Sequence, residues 1–149
     1  MSILGNFAYG NGFAGDGFPF FENYYAGGIA QPGGQVRGYD SFSLGPKDSQ
    51  GNPLGANLLL NGSAALILPY PFSRDTVRTS GFIDAGNVYA HGLPPLLMGT
   101  DSGPIRYSAG LSVEWRSPFG PLAFSIATPL NRQPGDATEV FQFTLATGF

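Results

Sequence analysis

The most regular pattern along the chain has a period of two. From Ile105 to Ser117, the residues Ile105, Tyr107, Ala109, Leu111, Val113 and Trp115 alternate with Arg106, Ser108, Gly110, Ser112, Glu114 and Arg116. Successive side chains of a strand point to opposite faces, so this segment has one apolar face and one polar, small-residue face. Pro118 to Gly120 reads as a tight turn. Beyond it Leu122, Phe124, Ile126 and Thr128 alternate with Ala123, Ser125 and Ala127, which predicts a hairpin. A turn signal at Gln133-Pro134-Gly135-Asp136 follows, and a last segment sets Phe141, Phe143, Leu145 and Phe149 opposite Gln142, Thr144, Ala146 and Gly148.

Upstream, Leu58, Leu60, Ala64, Leu66 and Leu68 alternate less cleanly with Leu59, Asn61, Ser63, Ala65 and Ile67, up to Pro69-Pro71 as a stop. Val77 to Tyr89 and Ile3 to Tyr9 are further candidates, which gives about six strands, five of them consecutive. Gly or Pro interrupts almost every window long enough for three helical turns. The expected class is therefore all-β, an antiparallel up-and-down sheet covering residues 1–149, with consecutive strands over 56–149.

Two architectures accept such strands. A soluble sandwich turns its apolar faces inward, and a transmembrane barrel turns them outward to lipid. Composition favours the barrel: only 11% of residues are charged while 14% are aromatic, against about 25% charged in an ordinary soluble domain. The chain has 23 Gly and 13 Pro, but 42% hydrophobic content argues against disorder. Burial of Tyr107, Leu111, Trp115 and Phe124 in a packed interior would select the sandwich instead.

The same composition narrows the chemistry. Net charge is −3 with scattered Lys and Arg, so no basic stripe is present to follow phosphates and no nucleic-acid partner is expected. Cysteine is absent and His91 is the only histidine, which leaves little for a metal, and neither metal nor cofactor is expected. No apolar run reaches the roughly 18 to 20 residues of a membrane helix. Met1-Ser2-Ile3 lacks the basic region and cleavage site of a secretion signal, so a secreted protein would have an earlier beginning than this one.

Gly10-Asn11-Gly12-Phe13-Ala14-Gly15 matches the dinucleotide-binding spacing, but Gly17 and Pro19 follow where a helix must open. Thr100-Asp101-Ser102-Gly103-Pro104 with His91 resembles the surroundings of a nucleophilic serine, yet it joins two strands and has ordinary turn chemistry. No catalytic residue, and no enzyme, is expected. Asn61-Gly62-Ser63 fits a glycosylation sequon but lies inside a predicted strand.

Residues 10–55 read as neither strand nor helix and are far longer than a usual connection. Phe13, Phe18, Phe20, Phe21, Tyr24, Tyr25 and Tyr39 suggest that this loop packs against something. Late in it stands Gly33-Gly34-Gln35-Val36-Arg37-Gly38-Tyr39. An Arg among glycines is commonly a solvated surface residue; the rival reading folds the loop into a barrel lumen, where Arg37 meets a carboxylate such as Asp84 on the inward face.

Phe21-Glu22-Asn23-Tyr24-Tyr25-Ala26-Gly27-Gly28, Val36-Arg37-Gly38-Tyr39 and Leu44-Gly45-Pro46 together resemble the sixth extracellular loop of the BamA family of outer-membrane barrels. Phe82-Ile83-Asp84-Ala85-Gly86-Asn87-Val88, Ser117-Pro118-Phe119-Gly120-Pro121-Leu122 and the terminal Phe141-Gln142-Phe143 to Phe149 agree in order, so the resemblance spans nearly the whole chain. It implies a barrel of about sixteen strands in the bacterial outer membrane, of which this chain supplies the last third or so. It implies that residues 10–55 form an extracellular loop entering the lumen, that Val36, Arg37, Gly38 and Tyr39 form its docking motif, and that Asp84 is the inner-wall partner of Arg37. A second acid of some members is replaced by Ala65.

Phe141, Phe143, Leu145 and Phe149 would form the C-terminal β-signal. The function implied is assembly and insertion of barrel proteins through a weak seam, with unfolded outer-membrane proteins, the lipid bilayer and accessory lipoproteins of the assembly complex as partners. Sister families that translocate secreted proteins, by two-partner secretion or as autotransporter assembly factors, share the long loop and its Arg motif. As about six strands are fewer than the roughly eight of the smallest membrane barrels, the chain alone is expected to form a curved open sheet unless other chains complete it.

Overall fold

The computed structural model describes residues 1–10, 22–29, 34–69, 75–90 and 103–145. The period-two segments are strands: β1 (Ser2–Tyr9), β3 (Leu58–Ile67), β4 (Val77–Tyr89), β5 (Arg106–Ser117), β6 (Gly120–Pro129) and β8 (Phe141–Leu145). They form one six-stranded antiparallel sheet in the order β1-β3-β4-β5-β6-β8, so every neighbour in space is the next strand of the sheet along the chain. The sheet is open among the described residues, with β1 and β8 at its edges. Two short strands that periodicity does not reveal, β2 (Gly38–Tyr39) and β7 (Thr138–Glu139), pair with each other in a separate two-stranded sheet.

Short and long connections alternate. Ser117 pairs directly with Gly120 across the β5–β6 turn, where the Ser117 hydroxyl donates to the Gly120 carbonyl at 2.6 Å and accepts from the Phe119 N–H at 3.2 Å. The long loop before β3 and the β4–β5 and β6–β7 connections all leave from the opposite end, the short-turn, long-loop asymmetry of outer-membrane barrels.

The sheet is apolar on its unprotected side. Leu111 is 55% exposed, Trp115 41% and Phe143 51%, with Tyr107, Ile126, Phe141 and Leu145 exposed on the same face. Phe124 is half-buried there, its ring 5.1 Å from that of Phe143 and 6.5 Å from that of Phe141. On the other side Ser80, Asp84, Arg106, Ser108, Ser112, Ser125 and Gln142 are buried. A soluble sandwich requires the reverse, since apolar side chains left in water forfeit roughly 1.5 to 3 kcal/mol each. In lipid they lose nothing.

Loop residues, including the two-stranded β2–β7 ladder, cover the polar side. Ala26, Val36, Tyr39 and Leu44 pack with Ala56, and with Leu59 of β3 and Val88 of β4, into the buried apolar cluster. Backbone bridges Tyr24↔Ala56, Ala26↔Leu44 and Gly28↔Val36 brace the loop internally, as does Lys47↔Pro53. The inner face is thus covered where the loop lies on it.

Candidate functional site: a loop docked on the inner wall

Arg37 and Asp84 meet on this inner face. Within β4, Ser80, Phe82, Asp84, Gly86 and Val88 alternate inward, so strand geometry alone aims Asp84 at the loop. The Arg37 Nε donates to Asp84 Oδ2 at 2.8 Å and its Nη2 to Oδ1 at 2.8 Å. The backbone N–H of Arg37 adds a third bond to Oδ2 at 3.0 Å. This two-pronged geometry suits a planar guanidinium and is closed to the single ammonium of lysine. Asp84 is 0% exposed.

Neighbours complete the cradle. The guanidinium carbon lies 3.4 Å from the centre of the Phe82 ring, on the same inward row, where the ring face attracts a cation. From β3 the Ser63 hydroxyl donates to Asp84 Oδ1 at 2.6 Å and accepts from Arg37 Nη2 at 3.3 Å. Ala65, where a second acid was expected to be missing, points inward beside it and pairs with Phe82. A neutral hydroxyl therefore supports the pair here.

The wall is relieved to admit the motif. A Cβ on Gly86 would lie 2.7 Å from Val36 Cγ2, closer than Cβ atoms approach, and a tight 3.1 Å from the Leu60 carbonyl. Gly38 has φ +89°, a conformation that favours glycine, and a Cβ there would lie 3.1 Å from Ala127 Cβ on β6. Asn61 holds the loop backbone just ahead of Val36 by donating to the Gln35 carbonyl.

A scan against family models matches the Omp85 superfamily domain over residues 1–149. The chain belongs to the Omp85 superfamily. It is 41% identical over 156 aligned positions to the outer membrane protein assembly factor BamA of Neisseria meningitidis, covering 88% of this chain and 19% of that protein. It is 28% identical to BamA of Neorickettsia risticii, covering 77% of this chain and 16% of the relative. The crystal structure of Haemophilus ducreyi BamA lacking POTRA domains 1–3 superposes with TM-score 0.79 at 36% identity, over 95% of this chain and 30% of that one. The chain thus spans about a fifth of the length of the curated relatives it matches.

A second ion pair, not anticipated from the sequence, lies in this Omp85 interior. Arg106, at the start of β5, donates through Nε to Asp136 Oδ2 at 2.6 Å and through Nη2 to Oδ1 at 2.9 Å, with both side chains buried. Asp136 belongs to the turn before β7, and the Gln133 N–H donates to it at 2.9 Å. Burial pushes the Asp136 carboxyl up, but the hydrogen bonds from Arg106 and Gln133 and the positive charges of Arg106 and Lys47 outweigh it and hold the group below its ordinary value. Tyr39 lies beside this pair, its hydroxyl 3.3 Å from the Tyr107 carbonyl and 3.4 Å from Asn131 Oδ1. Burial and the Asp136 charge raise the Tyr39 phenol against the opposing Arg106 charge and the Asn131 contact. Arg106 stood on the polar face in the alternation, but Asp136 read only as turn chemistry, 30 residues away.

The four motif residues therefore touch different parts of the wall: Val36 meets Gly86, Arg37 meets Asp84, Gly38 meets β6, and Tyr39 reaches the ends of β5 and β6. Phe141, Phe143 and Leu145 lie on the outward face of the edge strand β8. Phe149, His91 and Thr100-Asp101-Ser102 fall outside the described residues, as does the glycine motif beyond Gly10.

Proposed function

We propose that this chain forms the C-terminal section of a barrel that assembles and inserts β-barrel proteins in the bacterial outer membrane. The observation that carries the proposal is a wall apolar outside and polar inside, its interior sealed by a loop fastened through Arg37 to Asp84. The names of the Neisseria and Neorickettsia relatives support assembly over secretion.

The work asked of this section is mechanical. The loop would hold the wall in shape while the edge strand β8 stays available, because an edge strand offers unpaired N–H and C=O groups to an incoming strand. Phe141, Phe143, Leu145 and Phe149 would act as the β-signal, the first three by presenting apolar side chains on the outward face of β8. Substrates would be unfolded outer-membrane proteins; lipid and the lipoproteins of the assembly complex would be the other partners. No step of this cycle calls for a catalytic side chain, a nucleotide or a metal.

The test is reconstitution of the full-length barrel carrying this chain into liposomes, with folding of a small unfolded barrel substrate followed by its heat-resistant gel mobility. Acceleration over empty liposomes is expected, with most of it lost in Arg37→Ala. A full-length protein that folds, inserts and leaves the substrate rate unchanged would refute the assembly reading.

A further inference from the structure

The terminal strand is divided between two partners. Phe141 to Leu145 pair with Ile126 to Leu122 on the wall, and the Ala127 N–H still reaches the Val140 carbonyl at 2.9 Å. Continued in register, Glu139 and Thr138 would meet Thr128 and Pro129. They leave the wall instead and pair as β7 with Gly38 and Tyr39 of the loop, and the Asp40 N–H extends that ladder to the Ala137 carbonyl at 3.0 Å. The segment just before the seam strand is thus an added strand of the loop.

Gln142 sits beneath the point of departure. It is buried on the inward side of β8, where its Nε2 donates to the Tyr39 carbonyl at 2.7 Å and its Oε1 accepts from the Gly38 N–H at 3.4 Å. The side-chain amide thereby behaves as an extra peptide group inserted between the wall strand and the loop strand. Nε2 also lies 3.3 Å from Glu139 Oε2, on the diverging segment itself.

We propose that Gln142 is a positioning residue that ties the docked state of the loop to the pairing of the terminal strand. With the loop docked, residues 137–139 are drawn inward and the seam strand is paired to the wall only from Val140 onward. With the loop released, the same residues are free to lie along Thr128 and Pro129, where the Pro129 carbonyl can accept from the Thr138 N–H although proline has no N–H to return, which lengthens the wall pairing by one bond and changes the edge offered to a substrate. The consequence for assembly rests on the function proposed above; the clasp itself does not.

The chain contains no cysteine, so a disulfide between Asp40→Cys and Ala137→Cys reports the loop–strand pairing without competing thiols from this section. Both positions are exposed and face each other in the ladder. In the full-length membrane-embedded protein this pair should cross-link readily. Gln142→Leu and Gln142→Met, which remove the amide at similar volume, should slow cross-linking about three- to tenfold, the factor expected when the Tyr39 carbonyl keeps only the Gly28 N–H at 3.1 Å and the Gly38 N–H loses its long bond to the side chain.

Heat-modifiable gel mobility identifies the variant that has folded, and cross-linking at the parental rate in either folded variant overturns the clasp. Closing the disulfide in the parent should also slow substrate folding several-fold, with recovery on reduction. Equal rates locked and reduced overturn the coupling to the seam, whereas a protein that cross-links but never accelerates folding, even when reduced, refutes the assembly reading and leaves the clasp standing.

Discussion

Replacing Arg37 by Ala removes two charge-assisted bonds to a carboxylate that is 0% exposed, and leaves Asp84 with the Ser63 hydroxyl and the backbone N–H of residue 37. The position is sealed by the loop, so water does not readily replace the guanidinium. Breaking one side of a buried pair in this way costs about 3 to 5 kcal/mol, and the lost contact over Phe82, desolvated here, is worth up to about 2 kcal/mol within that loss. Undocking the loop limits the damage, because it readmits water to Asp84 at the expense of the Val36 and Tyr39 burial. The assay is urea unfolding of the full-length barrel in a reversible lipid or detergent system, run as a double-mutant cycle with Asp84→Ala. Each single variant should lose at least about 2 kcal/mol and the double should lose clearly less than their sum, as for residues that share an interaction. Losses that add to within about 0.5 kcal/mol would show that the pair does not hold the loop. Arg37→Lys should recover only part of the loss, since an ammonium does not reproduce the two parallel bonds.

Other parts of the structure give independent checks. Gly86→Ala should destabilise the docked loop by about 1 to 3 kcal/mol through overpacking against Val36, and Val36→Ala should partly relieve it; protease cleavage within the loop reads both. Leu111→Arg on the outward face of β5 should cost about 2 to 4 kcal/mol in a bilayer if it lies near the midplane, and folding yield in liposomes is the measure. For Asp136, whose folded carboxyl is held below the ordinary value of 3.8, the stabilising contribution is complete above that value and disappears as pH falls through the lower folded one. Asp136→Asn should therefore remove stability at neutral pH and flatten the acid limb of the stability curve below about pH 4, as seen in pH-dependent unfolding.

The strands were legible because a single physical rule, one face per parity, operates within each of them. The bounds of Val77–Tyr89 are legible despite an Asp in its middle, since Phe82, Asp84 and Val88 keep the same parity whatever their polarity. Arg37 and Asp84 are legible as partners through the resemblance and the inward parity of Asp84; alternation alone does not reveal that Ser63 takes part. β2 and β7 were invisible, each being two residues long and held by partners about 100 positions apart in sequence. No local period encodes such a pairing.

What periodicity does not carry is the identity of the material facing each surface. The polar stripe of β5 and β6 would look the same against a water-filled lumen as against the loop, because small hydroxyl and alanine side chains suit both. Ser108, Ser125 and Gln142 are buried here, and Gln142 meets the loop backbone at the Tyr39 carbonyl and the Gly38 N–H. That change alters the role expected of the stripe: in water, Gln142 would be an exchangeable lumen residue, whereas against the loop its amide replaces peptide groups that have no other partner from the wall. A stripe chosen only for wetness should tolerate Gln142→Ser, Thr or Asn interchangeably. A stripe fitted to the loop should reject all three, because none reaches the Tyr39 carbonyl at 2.7 Å from a Cα fixed on β8. Cross-linking rates across that series, measured with the Asp40→Cys and Ala137→Cys pair, separate the two cases: indifference marks a lumen lining, and a graded fall with side-chain length marks a clasp.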